Sequence, residues 1–331
     1  MEIASVEPLG DRLEPAIEAL RRGAMAMLVD RGAGGGGHLV AVASSIGAET
    51  VATMLREAVG MPFLALSEER CEALELTPIG AGSEMMITIE SRHGTSTGIS
   101  ASDRALTMRV AAGPAYTAVD VVKPGHVLPI RVPADRLLSR PDAAATALEL
   151  AALAGSPGGA ALCQVLDADG APAAVAEAEE LARRLEIPLA DSLEVVEHRL
   201  RATALVHRDG AERIVATAAG PLRCVSYRGR GGGRRHFALL HGDPALPEPI
   251  HLETVVQDPP ADAFASAGVD RPPQAALAAV VGRGRGVVLY LAAEDAEPAG
   301  DAALARSRRA HLIRQILRDL GVAAIATGPP A

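Results

Sequence analysis

Apolar residues recur along the chain with two different periods, and the alternation between them sets out the architecture. Leu13, Ile17 and Leu20 share one side of a 3.6-residue repeat, which predicts a helix over residues 11–22 closed by Gly23. The apolar run 24–29 predicts a strand after it, and 38–43 a second strand, with five glycines and Ala33 between the two. Further on, the spacing predicts helices over 50–59, 101–112 and 143–154, the last closed by Gly155, and a short helix over 67–74 that begins at a Ser67 cap. Strands are predicted over 62–66, 85–90, 125–130 and 160–166. Helices over 172–185 and 191–201 follow.

Near residue 200 the pattern changes. Short apolar runs at 204–207, 213–217, 223–227 and 236–240 are separated by Gly, Asp or Pro, as in a β-rich domain. A helix over 274–281, a buried strand over 286–291, a long helix over 302–320 and a short terminal strand complete the chain. The expected organisation is α+β, with a first α/β domain over 1–200 and a second, α+β domain over 201–331.

Length and composition agree with two cores, since 331 residues with 49% hydrophobic and 22% charged side chains form an ordinary globular chain. Only 2% of the residues are aromatic and there is no Trp, which speaks against stacking platforms for single-stranded nucleic acid. A formal net charge of -9 likewise disfavours phosphate backbones, so a small-molecule partner is expected and no nucleic acid. Cys71, Cys163 and Cys224 lie far apart without metal-knuckle spacing, which points to buried thiols in a reducing compartment, the cytoplasm. Glu2, Glu7, Asp11 and Glu14 precede any apolar run, unlike a signal peptide, and no run approaches the ~18 apolar residues of a membrane span.

The segment Arg92-His93-Gly94-Thr95-Ser96-Thr97-Gly98-Ile99-Ser100-Ala101-Ser102-Asp103-Arg104-Ala105 resembles the Thr-Gly-Ile-Ser-Ala-x-Asp-Arg-Ala segment of 3,4-dihydroxy-2-butanone-4-phosphate synthases. Pro124-Gly125-His126-Val127-Leu128-Pro129-Ile130-Arg131 resembles that family's Pro-Gly-His-Val-Phe-Pro-Leu-Arg, and Leu66-Ser67-Glu68-Glu69-Arg70 and Leu153-Ala154-Gly155 follow its order and spacing. The likeness covers roughly residues 12–200. Beyond it, Gly284 to Leu291 and Gln315 to Val322 resemble the GTP cyclohydrolase II domain fused to such synthases in bifunctional riboflavin-precursor enzymes, in a truncated form. The resemblance implies a homodimer formed through the first domain, with pockets near its interface.

The resemblance also locates departures from the family pattern. Its acidic run Asp-Arg-Glu-x-Glu-Gly-Asp falls on Gly32 to His38, so no carboxylate of that run is present. Its metal-binding His falls on Ala143, with Arg140 kept, and its acid/base Glu falls on Gln164 after Cys163. Magnesium wants several oxygen ligands, and an amide exchanges no proton near neutral pH. In the second domain the family's three zinc-binding cysteines fall on Thr254, Val269 and Arg271, and its Arg-Gln-Glu-Gly-Arg run is reduced to Ala292-Ala293-Glu294-Asp295. Both parent activities are therefore expected to be absent, with no metal and no cofactor.

What remains is weighed residue by residue. His38 is the candidate acid/base group, set against a plain polar residue at a strand start. Arg140, Ser96, Thr97, Asp103 and His126 are candidates to hold a small phosphorylated sugar, since an Arg fork matches phosphate oxygens and hydroxyls donate to a ketose. The glycine run lacks the Lys-Ser/Thr of a P-loop and is read as a slack loop. The Arg228–Arg235 segment is read as a solvated hairpin tip and Cys163 as an inert thiol. Two classes follow: a pseudoenzyme serving as a dimeric scaffold or phosphosugar-binding regulator, or a repurposed metal-independent enzyme acting on a small phosphorylated sugar or ketone.

Overall fold

The computed structural model describes residues 10–32, 35–230, 233–257, 273–293 and 302–326. The chain divides into two compact units between His198 and Arg199, inside the helix Ser192–Ala202.

The first unit is a seven-stranded mixed sheet with helices on both faces. In chain order its strands are β1 (Ala26–Val29), β2 (Gly37–Val42), β3 (Val59–Ser67), β4 (Ile89–Ser91), β5 (Val121–Val132), β6 (Gly159–Val165) and β7 (Leu189–Asp191). They lie in the order β4-β5-β3-β6-β2-β1-β7. The β3–β5 and β1–β7 pairs are parallel and the others antiparallel.

The alternation of side chains along each strand assigns the helices to faces. The Cβ position of Gly37 would collide with Ala178 in the helix Val175–Arg184, so Gly37 faces that helix and a glycine is required there. Leu39, Ala41, Cys163 and Val165, on the same side, join a core with Met108, Ala178 and Leu181. The opposite face carries Val40 and Leu162, covered by the helices Gly10–Arg21 and Ala143–Leu153. His38 follows Gly37 and therefore points to this second face.

Caps start the helices where the side-chain chemistry provides them. Ser67 Oγ accepts from the Arg70 N–H at 3.3 Å, and Ser100 Oγ from the Asp103 N–H at 3.1 Å. Asp142 Oδ1 accepts from the Ala145 N–H at 2.9 Å.

Three local expectations change. The helix expected over 50–59 is α-helical only over Ala48–Thr53, then closes as a wider π turn over Met54–Ala58, because Val59 takes a left-handed φ of 61° that no helix continues. The strand expected over 85–90 pairs regularly only at Ile89–Ser91, since Met85 and Met86 make single bridges to Ile130 and Pro78. The expected terminal strand is reduced to one bridge between Ile325 and Ile250, and Gly328-Pro329-Pro330 lie outside the described residues.

The second unit is a six-stranded sheet made by Val206–Arg208, Arg213–Thr217, Gly220–Gly229, Arg235–His241, His251–Val256 and Gly286–Leu291. The helix Pro273–Gly282 packs on the last two strands, with Val280 beside Val255 and Val288. His251–Val256, which runs parallel to Gly286–Leu291, has no expected counterpart, because three of its first four residues are polar. The Arg228–Arg235 segment joins two antiparallel strands as expected, with Gly231 and Gly232 outside the described residues.

Candidate functional site

Two of the positions singled out in the sequence, His38 and Gln164, come together in space. His38 on β2 lies directly opposite Gln164 on β6, and directly paired residues put their side chains on one face. Both are half-buried, and neither side chain makes a hydrogen bond among the described residues. Asp142, at the N-terminus of the helix Ala143–Leu153, and Asp30, at the end of β1, are the charged groups that act on the His38 imidazole. Burial dominates over both, and pushes the His38 pKa down to about 4. His38 is thus a neutral imidazole at neutral pH.

The glycine-rich connection is more closed than the sequence implies. The Asp30 N–H donates to Gly36 O at 3.0 Å, Gly35 N–H to Gly32 O at 3.0 Å, and Gly32 N–H to Asp30 Oδ1 at 2.9 Å. Arg31 ties the turn to Glu179 at 2.6 Å and to Asp191 at 2.9 Å. The slack loop expected there is therefore a self-bonded turn with a latch, at least over its described residues, with Ala33 and Gly34 lying outside them.

Asp142 is already engaged. Besides capping its helix, its Oδ2 accepts from Arg136 Nη2 at 2.6 Å and Nε at 3.0 Å. Arg136 also pairs with Glu84 and is nearly enclosed. The Arg140 side chain is 74% exposed, with Nη2 4.0 Å from Glu84 Oε2. Arg136 carried no motif that marked it in the sequence. An arginine six residues before a helix-capping aspartate was the available signal.

A second group gathers at the β4–β5 edge. Asp103 is buried and accepts from Ser96 Oγ at 3.0 Å, Ser96 N–H at 3.3 Å and Gly98 N–H at 3.0 Å. Burial raises its pKa, but the hydrogen bonds from Ser96, Ser100 and Gly98 together outweigh it and hold the carboxyl below its usual range. Asp103 therefore shapes the loop, which leaves Ser96 and Thr97 exposed at its surface. His126 Nδ1 lies 2.9 Å from Glu90 Oε2. Sequence reasoning did not single out Glu90, which falls inside an expected strand as an ordinary polar position.

The candidates thus form two groups. Register continues from β2 through β6 and β3 to β5, where Val40, Leu162, Phe63 and Leu128 align. His38 and His126 each lie two residues before their member of that row, His126 just beyond the end of the regular β3–β5 ladder. Three strand spacings separate them, about 14 Å.

In the second unit, His251 Nε2 and Glu253 Oε1 lie 2.8 Å apart beside Thr254. Val269, Asp270, Arg271, Glu294 and Asp295 lie outside the described residues. Cys163 is fully buried and its thiol is pushed up to about 12 by burial, the state of an inert thiol. Among the described residues, no three His, Cys, Asp or Glu side chains converge so as to hold a metal ion, and no helix is long and apolar enough to cross a membrane.

Residues 14–198 match the family model of 3,4-dihydroxy-2-butanone 4-phosphate synthase, which covers more than half of the chain. The chain belongs to this family. Residues 208–300 match the model of GTP cyclohydrolase II, so the chain has the domain pair of the riboflavin-biosynthesis enzymes. A riboflavin biosynthesis protein RibBA of Aquifex aeolicus is 31% identical over 290 residues, covering 84% of this chain and 71% of that protein. A 3,4-dihydroxy-2-butanone 4-phosphate synthase of Pseudomonas syringae pv. tomato is 32% identical over 300 residues, covering 87% and 81%. Among solved structures, RibBX, a two-domain 3,4-dihydroxy-2-butanone 4-phosphate synthase from A. baumannii, superposes with a TM-score of 0.77 at 27% identity, covering 96% of this chain and 94% of that one. The chain has the α+β architecture of a synthase domain followed by a cyclohydrolase II-like domain, and its two-domain fold matches the RibBX structure.

Proposed function

We propose that this member of the riboflavin-biosynthesis enzyme family lacks both parent activities and serves in the cytoplasm as a dimeric, phosphosugar-binding regulator or scaffold. The observation that carries the reading is the His38–Gln164 pair. The family's pattern puts an aspartate and an acid/base glutamate at these two positions, whereas here they are a neutral imidazole and an amide. The carboxylates nearby do not replace the missing donors. Asp30 is spent partly on the Gly32 N–H, and Asp142 on its helix cap and on Arg136. Such a set does not fit magnesium, which takes near-octahedral oxygen ligation. In the second unit, a threonine hydroxyl at position 254 is a poor substitute for a zinc thiolate.

The alternative, a repurposed metal-independent enzyme using His38, is less well supported. A general base works best with a pKa near the operating pH, and His38 lies far below it.

Binding functions are better preserved. Arg140 offers an exposed fork for a phosphate, and Ser96 and Thr97 offer hydroxyls on a loop fixed by Asp103. The pairing of two chains is supported by the exposed apolar side chains of Met61, Ile79 and Met85, the last bridged to half-buried Ile130 on β5.

Thermal unfolding with ribulose 5-phosphate tests the reading. A ligand at 100 times its dissociation constant adds about 2.7 kcal/mol, so a clear rise in Tm is expected. An unchanged Tm at millimolar ligand would remove the phosphosugar part of the proposal.

A further inference from the structure

Glu90 is mostly shielded, and among the described residues its carboxylate has one hydrogen-bond partner, the imidazole of His126 at 2.9 Å. The shielding comes from the candidate binding loop. Gly98 adopts a φ of +76°, and a Cβ there would overlap the Glu90 carboxylate, so the loop backbone lies directly over it. Gly98 in turn gives its N–H to Asp103, the residue that also fixes Ser96.

An ionised carboxylate only accepts hydrogen bonds, so the contact requires the proton of His126 to sit on Nδ1. In the neutral form of the ring, the lone pair is then on Nε2. His126 is 45% exposed, leaving the ring accessible beyond the shielded Nδ1 contact. We propose that Glu90 is a positioning residue, which fixes the tautomer and orientation of His126 so that Nε2 accepts a hydrogen bond from a ligand hydroxyl, and which couples this acceptor to the Ser96–Gly98 loop. The ligand class it selects is a polyhydroxylated molecule with a hydroxyl free to donate. The proposal rests on the binding reading above for its ligand but not for its geometry.

The test uses the full chain labelled with 15N. In the wild type, imidazole shifts should report protonated Nδ1 and unprotonated Nε2 for His126. In Glu90→Gln the side-chain amide can donate to Nδ1, so the ring should move towards the Nε2–H form and lose its acceptor. Ribulose 5-phosphate binding should weaken up to about tenfold, as for loss of one neutral hydrogen bond to the ligand. Glu90→Asp retains an acceptor and should restore the Nδ1–H tautomer in part, with intermediate affinity. A wild-type ring already protonated on Nε2, or a tautomer unchanged in a folded Glu90→Gln variant, overturns the proposal. If the tautomer switches as stated but the wild type binds no ribulose 5-phosphate, the positioning role stands and the phosphosugar reading falls.

Discussion

His38 and Gln164 face one another across the β2–β6 ladder, on the sheet face covered by the helix Ala143–Leu153. The antiparallel register makes neighbours of two residues 126 positions apart, and neither side chain spends its hydrogen-bonding capacity elsewhere among the described residues. A charged imidazole would gain from Asp30 and Asp142, yet burial costs it more.

This balance gives a pH-dependent stability. The folded His38 titrates near 4, below the value near 6.5 of an unfolded chain, so below pH 6.5 the unfolded state binds the extra proton. The contribution is complete above pH 6.5 and is lost as pH falls towards 4. Between pH 7 and pH 5 the wild type should lose on the order of 1–2 kcal/mol more than His38→Gln in urea unfolding. Parallel pH profiles of the two proteins would remove the burial argument.

Asp103 behaves with a different window. Its carboxyl is held below the usual carboxylate range by its loop, so its contribution is present above the unfolded pKa and is lost as pH falls through the lower folded value. Asp103→Asn should loosen residues 96–98 at neutral pH, seen as faster amide hydrogen exchange of Gly98, while the sheet retains its protection. Unchanged exchange at Gly98 would show that the three hydrogen bonds do not fix the loop.

Gly98→Ala adds a methyl group at a positive φ and against the Glu90 carboxylate. A loss of about 1–3 kcal/mol is expected, measured by denaturant unfolding. A neutral effect would mean that the loop does not lie on Glu90.

Much of this fold follows from pattern, because long amphipathic helices and apolar strands depend on local spacing. The helix Ala101–Ala112 and the strand Gly286–Leu291 have the limits read from the sequence. Elements defined by tertiary pairing were hidden. The polar strand His251–Val256 exists through its parallel ladder, and the π turn before Val59 through a backbone conformation that no β-branched side chain advertises. At the site, the residues Arg140, Ser96, Thr97, Asp103, His126 and His38 were legible as types. The sequence did not show that they form two groups, because that depends on the strand order β5-β3-β6-β2. Glu90 and Arg136 become visible only through their partners.

Cys163 provides a check on burial at the same strand. Its thiol, pushed up to about 12 and enclosed, should react with iodoacetamide at pH 8 only as fast as the protein opens, orders of magnitude more slowly than in the unfolded chain. Rapid labelling of the native protein would show that β6 is open to solvent.

The most direct measurement is turnover of ribulose 5-phosphate by the purified full chain with added magnesium, followed through formate and the four-carbon phosphate. On the proposed reading, in which His38 and Gln164 stand where the resemblance expects carboxylates, no product forms above the rate without protein. Sustained magnesium-dependent formation of both products would contradict it.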